Sequence, residues 1–162
     1  MRRLVWFTVL AFALATPAVG FALGGTDDGT LSVKAGVGKV YLNFNGSAVG
    51  RVQHGVIQIT DPLANDGPGL DFSGCEERDR IDTTSICRGT NLRFRAIGGK
   101  YQIQIKGAGV YLSAVGYGYS VLNGAGDDPN IVTDGTYSLN DGPYRSLPDF
   151  RTTFNIVAPA GG

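Results

Sequence analysis

Apolar side chains alternate with polar ones through much of the stretch from Leu92 to Val121. The first apolar series is Leu92, Phe94 and Ala96, and the second is Tyr101, Ile103 and Ile105. A period of two residues, with β-branched and aromatic side chains on one phase, is typical of strands that bury one face. Gly98-Gly99 separates the two series. Because glycine adopts positive φ at little cost, this pair predicts a tight hairpin.

A similar pattern occurs earlier in the chain. Leu31 to Val49 aligns without a gap to Leu92 to Val110, and six of the nineteen positions are identical. A turn is expected at Gly36-Val37-Gly38, which aligns with the second hairpin. The repeat predicts an internal duplication, at about residues 29–60 and 89–123, that forms two related β-meanders.

The remaining pattern indicates an all-β domain, because no apolar stripe of helical period runs for three turns beyond the N-terminus. About ten short strands at this spacing suit a sandwich or a barrel. Two meanders that each supply a sheet favour an antiparallel β-sandwich, with a small closed β-barrel as the alternative. The charged run from Glu76 to Asp82 is expected to be a solvated loop, and Thr136 to Leu139 a strand.

The N-terminus has the composition of a secretory signal peptide. Arg2 and Arg3 precede an uncharged apolar run at 4–14, and small residues follow. We expect a signal-peptide helix at 1–20, cleaved after Ala18, Gly20 or Ala22. The apolar run is about half the roughly 20 residues that a spanning helix needs, which argues against a stable transmembrane anchor. The prediction is a secreted or extracytoplasmic protein with one domain at 21–157 and a disordered tail at 158–162.

Cysteine content and charge narrow the functional classes. Cys75 and Cys87 are the two cysteines, and in an oxidising compartment they are expected to form a disulfide worth roughly 3 kcal/mol. Loss of Arg2 and Arg3 leaves 12 basic residues against 14 acidic ones. This balance is not the charge signature of a nucleic-acid-binding protein.

Catalytic patterns are weak. The chain has one histidine, His54, and no G-x-S-x-G nucleophile elbow. Acidic residues between Glu76 and Asp82 could supply the carboxylate pair of a hydrolase, but a mixed-charge run is more typical of a solvated segment. We therefore predict no catalytic residues and no enzyme activity, with a hydrolase as the less favoured alternative.

Acidic residues in the C-terminal loops offer a weak metal alternative. Asp127, Asp128 and Asp134 could supply oxygen ligands to Ca²⁺. Their spacing matches no EF-hand loop, and Asp-Gly is an ordinary turn signal. The prediction is no metal site and no cofactor, with Ca²⁺ as the alternative.

Three residues are candidates for contact with a ligand. Tyr111 lies on the polar phase of its strand, and Arg93 and Arg95 occupy the polar phase of theirs. An aromatic side chain on a solvated face can stack on a sugar or anchor a protein. The leading hypothesis is a structural, surface-interaction domain whose partner is an envelope protein or a polysaccharide. The alternative is a carbohydrate-binding module, which should expose a row of tyrosines on one face.

Overall fold

The computed structural model describes residues 28–63, 67, 69–126 and 133–158. Their regular secondary structure consists of eight strands in one antiparallel sheet, which confirms the all-β prediction. The strands are β1 (Gly29–Thr60), β2 (Gly69–Ser73), β3 (Glu77–Ile81), β4 (Thr84–Ile97), β5 (Lys100–Gly124), β6 (Thr136–Leu139), β7 (Arg145–Ser146) and β8 (Thr152–Ile156). The predicted signal peptide at 1–20 and residues 159–162 of the predicted tail lie outside the described residues.

The strand order is β2-β4-β1-β5-β8, with β3 beside β4, β6 beside β1, and β7 beside β6. Hydrogen bonding joins all eight strands into one sheet. The finer choice between two packed layers and a closed barrel stays a prediction. The part of the chain that the structure describes contains no helix long and apolar enough to cross a membrane.

The two long strands, β1 and β5, pair with each other along both of their edges. Val40 on β1 is the register partner of Ile105 on one side and of Leu122 on the other. Residues 38–45 therefore lie between two separate stretches of β5, residues 100–107 and 117–124. Because one strand meets two stretches of the same partner, the pair of strands must coil around itself.

Rows of glycine cross the sheet where it coils. One row contains Gly89, Gly55, Gly107, Gly38 and Gly124, which are register neighbours on successive strands. Gly55 has a φ of +151°, and a Cβ atom built on it would lie 2.8 Å from the Cα atom of Gly107. A glycine inside a strand marks a sharp bend or a close approach of backbones. The row therefore allows the sheet to bend without clashes between side chains.

The apolar phase of the strands forms one buried core. Leu92, Phe94 and Ala96 of β4 are buried, as are Tyr101, Ile103 and Ile105 of β5. The Tyr101 hydroxyl donates a hydrogen bond to the Ile97 carbonyl at 3.2 Å, so the polar end of this buried ring is satisfied. The period-two pattern thus identified correctly which side chains of these strands are buried.

The first predicted turn is wrong. Gly98-Gly99 connects β4 to β5 tightly, as expected, but β1 continues through Gly36-Val37-Gly38. A register shift occurs between Val33 and Gly36 instead, where Ala35 has a φ of +51°. The backbone therefore forms a β-bulge at this point and does not reverse direction. The two aligned segments differ at this point, and the internal duplication stays a prediction.

The prediction of a loop for the charged segment is also wrong. Glu77–Ile81 is strand β3, paired antiparallel with β4. Its side chains are exposed, but the Arg88 guanidinium contacts Asp79 at 2.6 Å and Glu77 at 3.8 Å. Cross-strand pairing of opposite charges stabilises a polar edge strand that has no apolar pattern.

The predicted disulfide is present. Cys75 lies between β2 and β3 and is bonded to Cys87 of β4. Cys87 is completely buried in the core, whereas Cys75 is partly buried against it. The bond therefore attaches the β2–β3 connection to the interior. It fits a protein that folds in an oxidising compartment.

Candidate ligand-binding site

The residues predicted to face a ligand lie together on the outer face of the sheet. Arg93 and Arg95 are exposed, and Arg51 is the register partner of both Arg93 and Tyr111. The Arg51 guanidinium lies 4.1 Å from the centroid of the Tyr111 ring, which is cation–π geometry. One face of the Tyr111 ring is therefore covered by Arg51. No carboxylate in the described part of the chain forms an ion pair with these three arginines.

A second group of tyrosines is more open. Tyr117 and Tyr119 occupy outward positions of β5, with 50% and 37% of their surface exposed. Tyr41 of β1 lies beside them, and the ring centroids of Tyr41 and Tyr119 are 5.9 Å apart. We call Tyr41, Tyr119 and Tyr117 the tyrosine row.

Two asparagines of β1 contact this row. The Nδ2 atom of Asn45 donates a hydrogen bond to the Tyr117 hydroxyl at 3.0 Å, and that of Asn43 to the Tyr119 hydroxyl at 3.4 Å. Each asparagine is the register partner of the tyrosine it contacts. The cross-strand pairs fix the positions of the hydroxyl groups and place an amide group beside each of them.

The local sequence explains why these rings face solvent. Tyr117 and Tyr119 alternate with Gly116 and Gly118, whose φ angles are +153° and +148°. A Cβ atom on Gly118 would lie 2.6 Å from the Cα atom of Phe44, so the glycines let β1 approach the inner side of β5. The tyrosines occupy the opposite phase and project outward.

A cavity of about 700 Å³ borders the tyrosine row. Four cationic side chains, Lys39, Lys106, Arg88 and Arg151, line it together with Tyr41. We call this cavity the basic groove. Gln58, Gln104 and Asn123 supply amide groups to its wall, and Val56 and Val121 supply apolar surface.

The positive charge of the basic groove is only partly neutralised. Lys39 and Lys106 are register partners on adjacent strands, an arrangement of like charges that destabilises a sheet. Arg88 contacts Asp79 and Glu77. Within the described residues, neither lysine nor Arg151 has a carboxylate within ion-pair distance. The groove therefore offers uncompensated cations to a ligand.

The phenol of Tyr41 is shared by the tyrosine row and the basic groove. Partial burial raises the pKa of Tyr41 above its usual value of 10.0, and the neighbouring Tyr119 phenol raises it further, whereas Asn43 opposes the rise. The phenol consequently stays neutral at physiological pH. It can both donate and accept a hydrogen bond at the border between the row and the groove.

The weak calcium alternative falls largely outside the described residues, because Asp127 and Asp128 are not among them. The carboxylate of Asp134 accepts a hydrogen bond from the Gly126 amide at 3.1 Å. Asp134 and Asp149 line a smaller cavity of about 390 Å³. Within the described ranges, no three His, Cys, Asp or Glu side chains are grouped to hold a metal ion.

Comparison of the chain with protein-family models, curated proteins and solved structures finds no match in any of the three.

Sequence reasoning missed the basic groove. Lys39 and Lys106 are far apart in the chain and become neighbours only through the register between β1 and β5. The sequence did contain one indication of the groove, the alternation of side chains along each strand. Lys39 and Tyr41 occupy outward positions of β1, and Gln104 and Lys106 occupy outward positions of β5. If β1 and β5 had been predicted as neighbouring strands, these outward positions would have been expected to lie side by side.

Proposed function

We propose that this chain is a non-catalytic carbohydrate-binding module that holds a polysaccharide against the tyrosine row. The observation that carries the proposal is the common exposure of Tyr117 and Tyr119 on one sheet face beside Tyr41. Aromatic rings combine a large apolar surface with a polar hydroxyl, which suits the apolar faces and hydroxyl edges of sugars.

The amide groups beside the rings support this interpretation. Asn43 and Asn45 contact the hydroxyls of Tyr119 and Tyr117, and their amide groups carry both hydrogen-bond donors and acceptors. Outward positions on one strand repeat about every 6.6 Å, a distance on the scale of a sugar ring. An extended chain of sugars could therefore contact Tyr117 and Tyr119 in succession.

The proposal includes export by the signal peptide at 1–20, and the disulfide supports it because such bonds persist outside the cytoplasm. It also retains two packed layers as the finer architecture. The support for the layers is the bend at the glycine row, because core residues of β5 lie on both sides of Gly107, such as Ile105 and Val110, and belong to one cluster.

A second candidate function is structural contact with an envelope protein. It is favoured by Val115 and Val49, two exposed apolar side chains on the same outer face as the tyrosine row. Apolar surface beside aromatic residues is characteristic of protein-binding patches. Under this alternative, the tyrosines would anchor a protein rather than a sugar.

Affinity electrophoresis through gels containing soluble polysaccharides tests the first proposal, with neutral and acidic polymers represented. We expect at least one polymer to retard the wild-type protein, and the Tyr117→Ala/Tyr119→Ala variant to bind it at least tenfold more weakly. Stacking contributions of about 1 kcal/mol per ring would produce that loss.

Tyr144→Ala is the matched control, because Tyr144 is 45% exposed and lies outside the tyrosine row. It should bind like the wild type. Equal weakening by both variants, or no retardation by any polymer, would overturn the carbohydrate proposal. Binding to isolated cell envelopes that disappears after protease treatment would favour the envelope-protein alternative.

A further inference from the structure

We infer that the polysaccharide is acidic and that the basic groove binds its anionic groups. This inference rests on the proposed function, because it extends the tyrosine row along the same ligand. Its physical basis is three cations, Lys39, Lys106 and Arg151, that form no ion pair with a carboxylate in the described part of the chain and line a concave surface that includes Tyr41.

The register arranges the polar groups in two parallel lines. Gln58 pairs with Gln104, which pairs with Tyr41 on its other side. In the neighbouring line, each residue is likewise the register partner of the next, in the order Val56, Lys106, Lys39, Asn123. Amide and phenol groups therefore lie beside a central pair of ammonium groups. Such a surface can hydrogen bond to sugar hydroxyls while it pairs with a carboxylate or a sulfate.

The like-charge pair gives the clearest indication of an anion. Lys39 and Lys106 face each other across adjacent strands, and this repulsion costs folding energy unless an anion offsets it. Of the groove's cations, Arg88 already contacts two carboxylates, those of Asp79 and Glu77. Arg151 adds a further cation from the segment just before β8. An anionic ligand would neutralise the charge that the described residues leave unpaired.

Matched polymers that differ in charge test this inference. Polygalacturonate is compared with its methyl ester, and dextran sulfate with neutral dextran, by affinity electrophoresis of the wild-type protein. The wild type should bind the acidic member of at least one pair about tenfold more tightly, and 0.5 M NaCl should reduce this preference because salt screens exposed charges. The two pairs separate carboxylate recognition from sulfate recognition.

Two variants with the same loss of charge locate the binding site. Lys39→Gln/Lys106→Gln should weaken binding to the preferred acidic polymer about tenfold, since charge-assisted hydrogen bonds contribute strongly. Lys34→Gln/Arg145→Gln removes two exposed charges that do not line the basic groove and should leave binding unchanged. Circular dichroism of both variants verifies that the sheet is retained.

The outcomes separate the two proposals. Binding that depends on Tyr117 and Tyr119 but is equal for the charged and neutral polymers would overturn the acidic assignment and retain the carbohydrate module. Equal weakening by the Lys34/Arg145 variant would show that net charge alone determines binding and would refute the basic groove. No binding to any polymer would overturn both proposals.

Discussion

The hydroxyl group of Ser120 lies in the core without a hydrogen-bond partner among the described residues. Ser120 belongs to β5, and its register partners are Leu42 and Phe154. A buried hydroxyl that loses water without gaining a partner reduces the free energy of unfolding.

We therefore expect Ser120→Ala to increase the free energy of unfolding by about 1 kcal/mol in urea denaturation. Ser138→Ala is the matched control, because its buried hydroxyl donates a hydrogen bond to the Gly142 carbonyl at 2.6 Å. That variant should be less stable by about 1 kcal/mol. Changes of the same sign in both variants would contradict the role assigned to hydrogen bonding.

At the residue scale, the sequence predicted exposure better than it predicted contacts. The exposed positions of Arg93 and Arg95 followed from strand phase, because phase depends only on neighbouring residues. The contact between Arg51 and Tyr111 depends on the register of two strands that are distant in sequence. A single sequence contains no direct record of that register.

At the scale of the strands, the glycine row leads us to predict how alanine substitutions change the free energy of unfolding. Gly55→Ala should be strongly destabilising, because it combines a φ of +151° with a Cβ atom 2.8 Å from Gly107. Gly69 is the matched control: its φ is +103°, but a Cβ atom built on it meets nothing within 4 Å.

We expect Gly69→Ala to lower the free energy of unfolding by about 1–3 kcal/mol through backbone strain alone. Gly55→Ala should lose at least about 2 kcal/mol more, as overpacking adds to the strain. Chemical denaturation of the two variants measures the difference. Equal stabilities would indicate that the glycine row is not needed for the close approach of strands.

The strands themselves were predictable where one face is buried. The alternation in β4 and β5 is strong because the core requires apolar side chains at every second position. It is absent from β3, whose five residues are all exposed and are held by pairing to β4. The expected turn at Gly36-Val37-Gly38 failed for a related reason, since glycine marks bends within strands as well as chain reversals.

At the scale of the whole molecule, the coil of β1 and β5 brings the functional surface together. Tyr41 lies on a part of β1 that is paired on both sides by β5, and it both contacts Tyr119 and lines the basic groove. Separate hairpins would not produce this arrangement. The all-β class could be predicted from the local alternation of apolar and polar residues. The coil could not, because β1 pairs with β5 along both edges and each edge has its own register.

The disulfide provides a test of how the edge strands are held to this coil. Replacement of both Cys75 and Cys87 by Ala should lower the free energy of unfolding by about 3 kcal/mol, because the open chain gains conformational freedom when it unfolds. Some of the loss could instead come from truncating the buried Cys87 side chain. A reductant separates the two effects: it should destabilise the wild type and leave the double variant unchanged. If reduction leaves the wild type equally stable, packing of Cys87 rather than the cross-link holds β3 and its connection to β4.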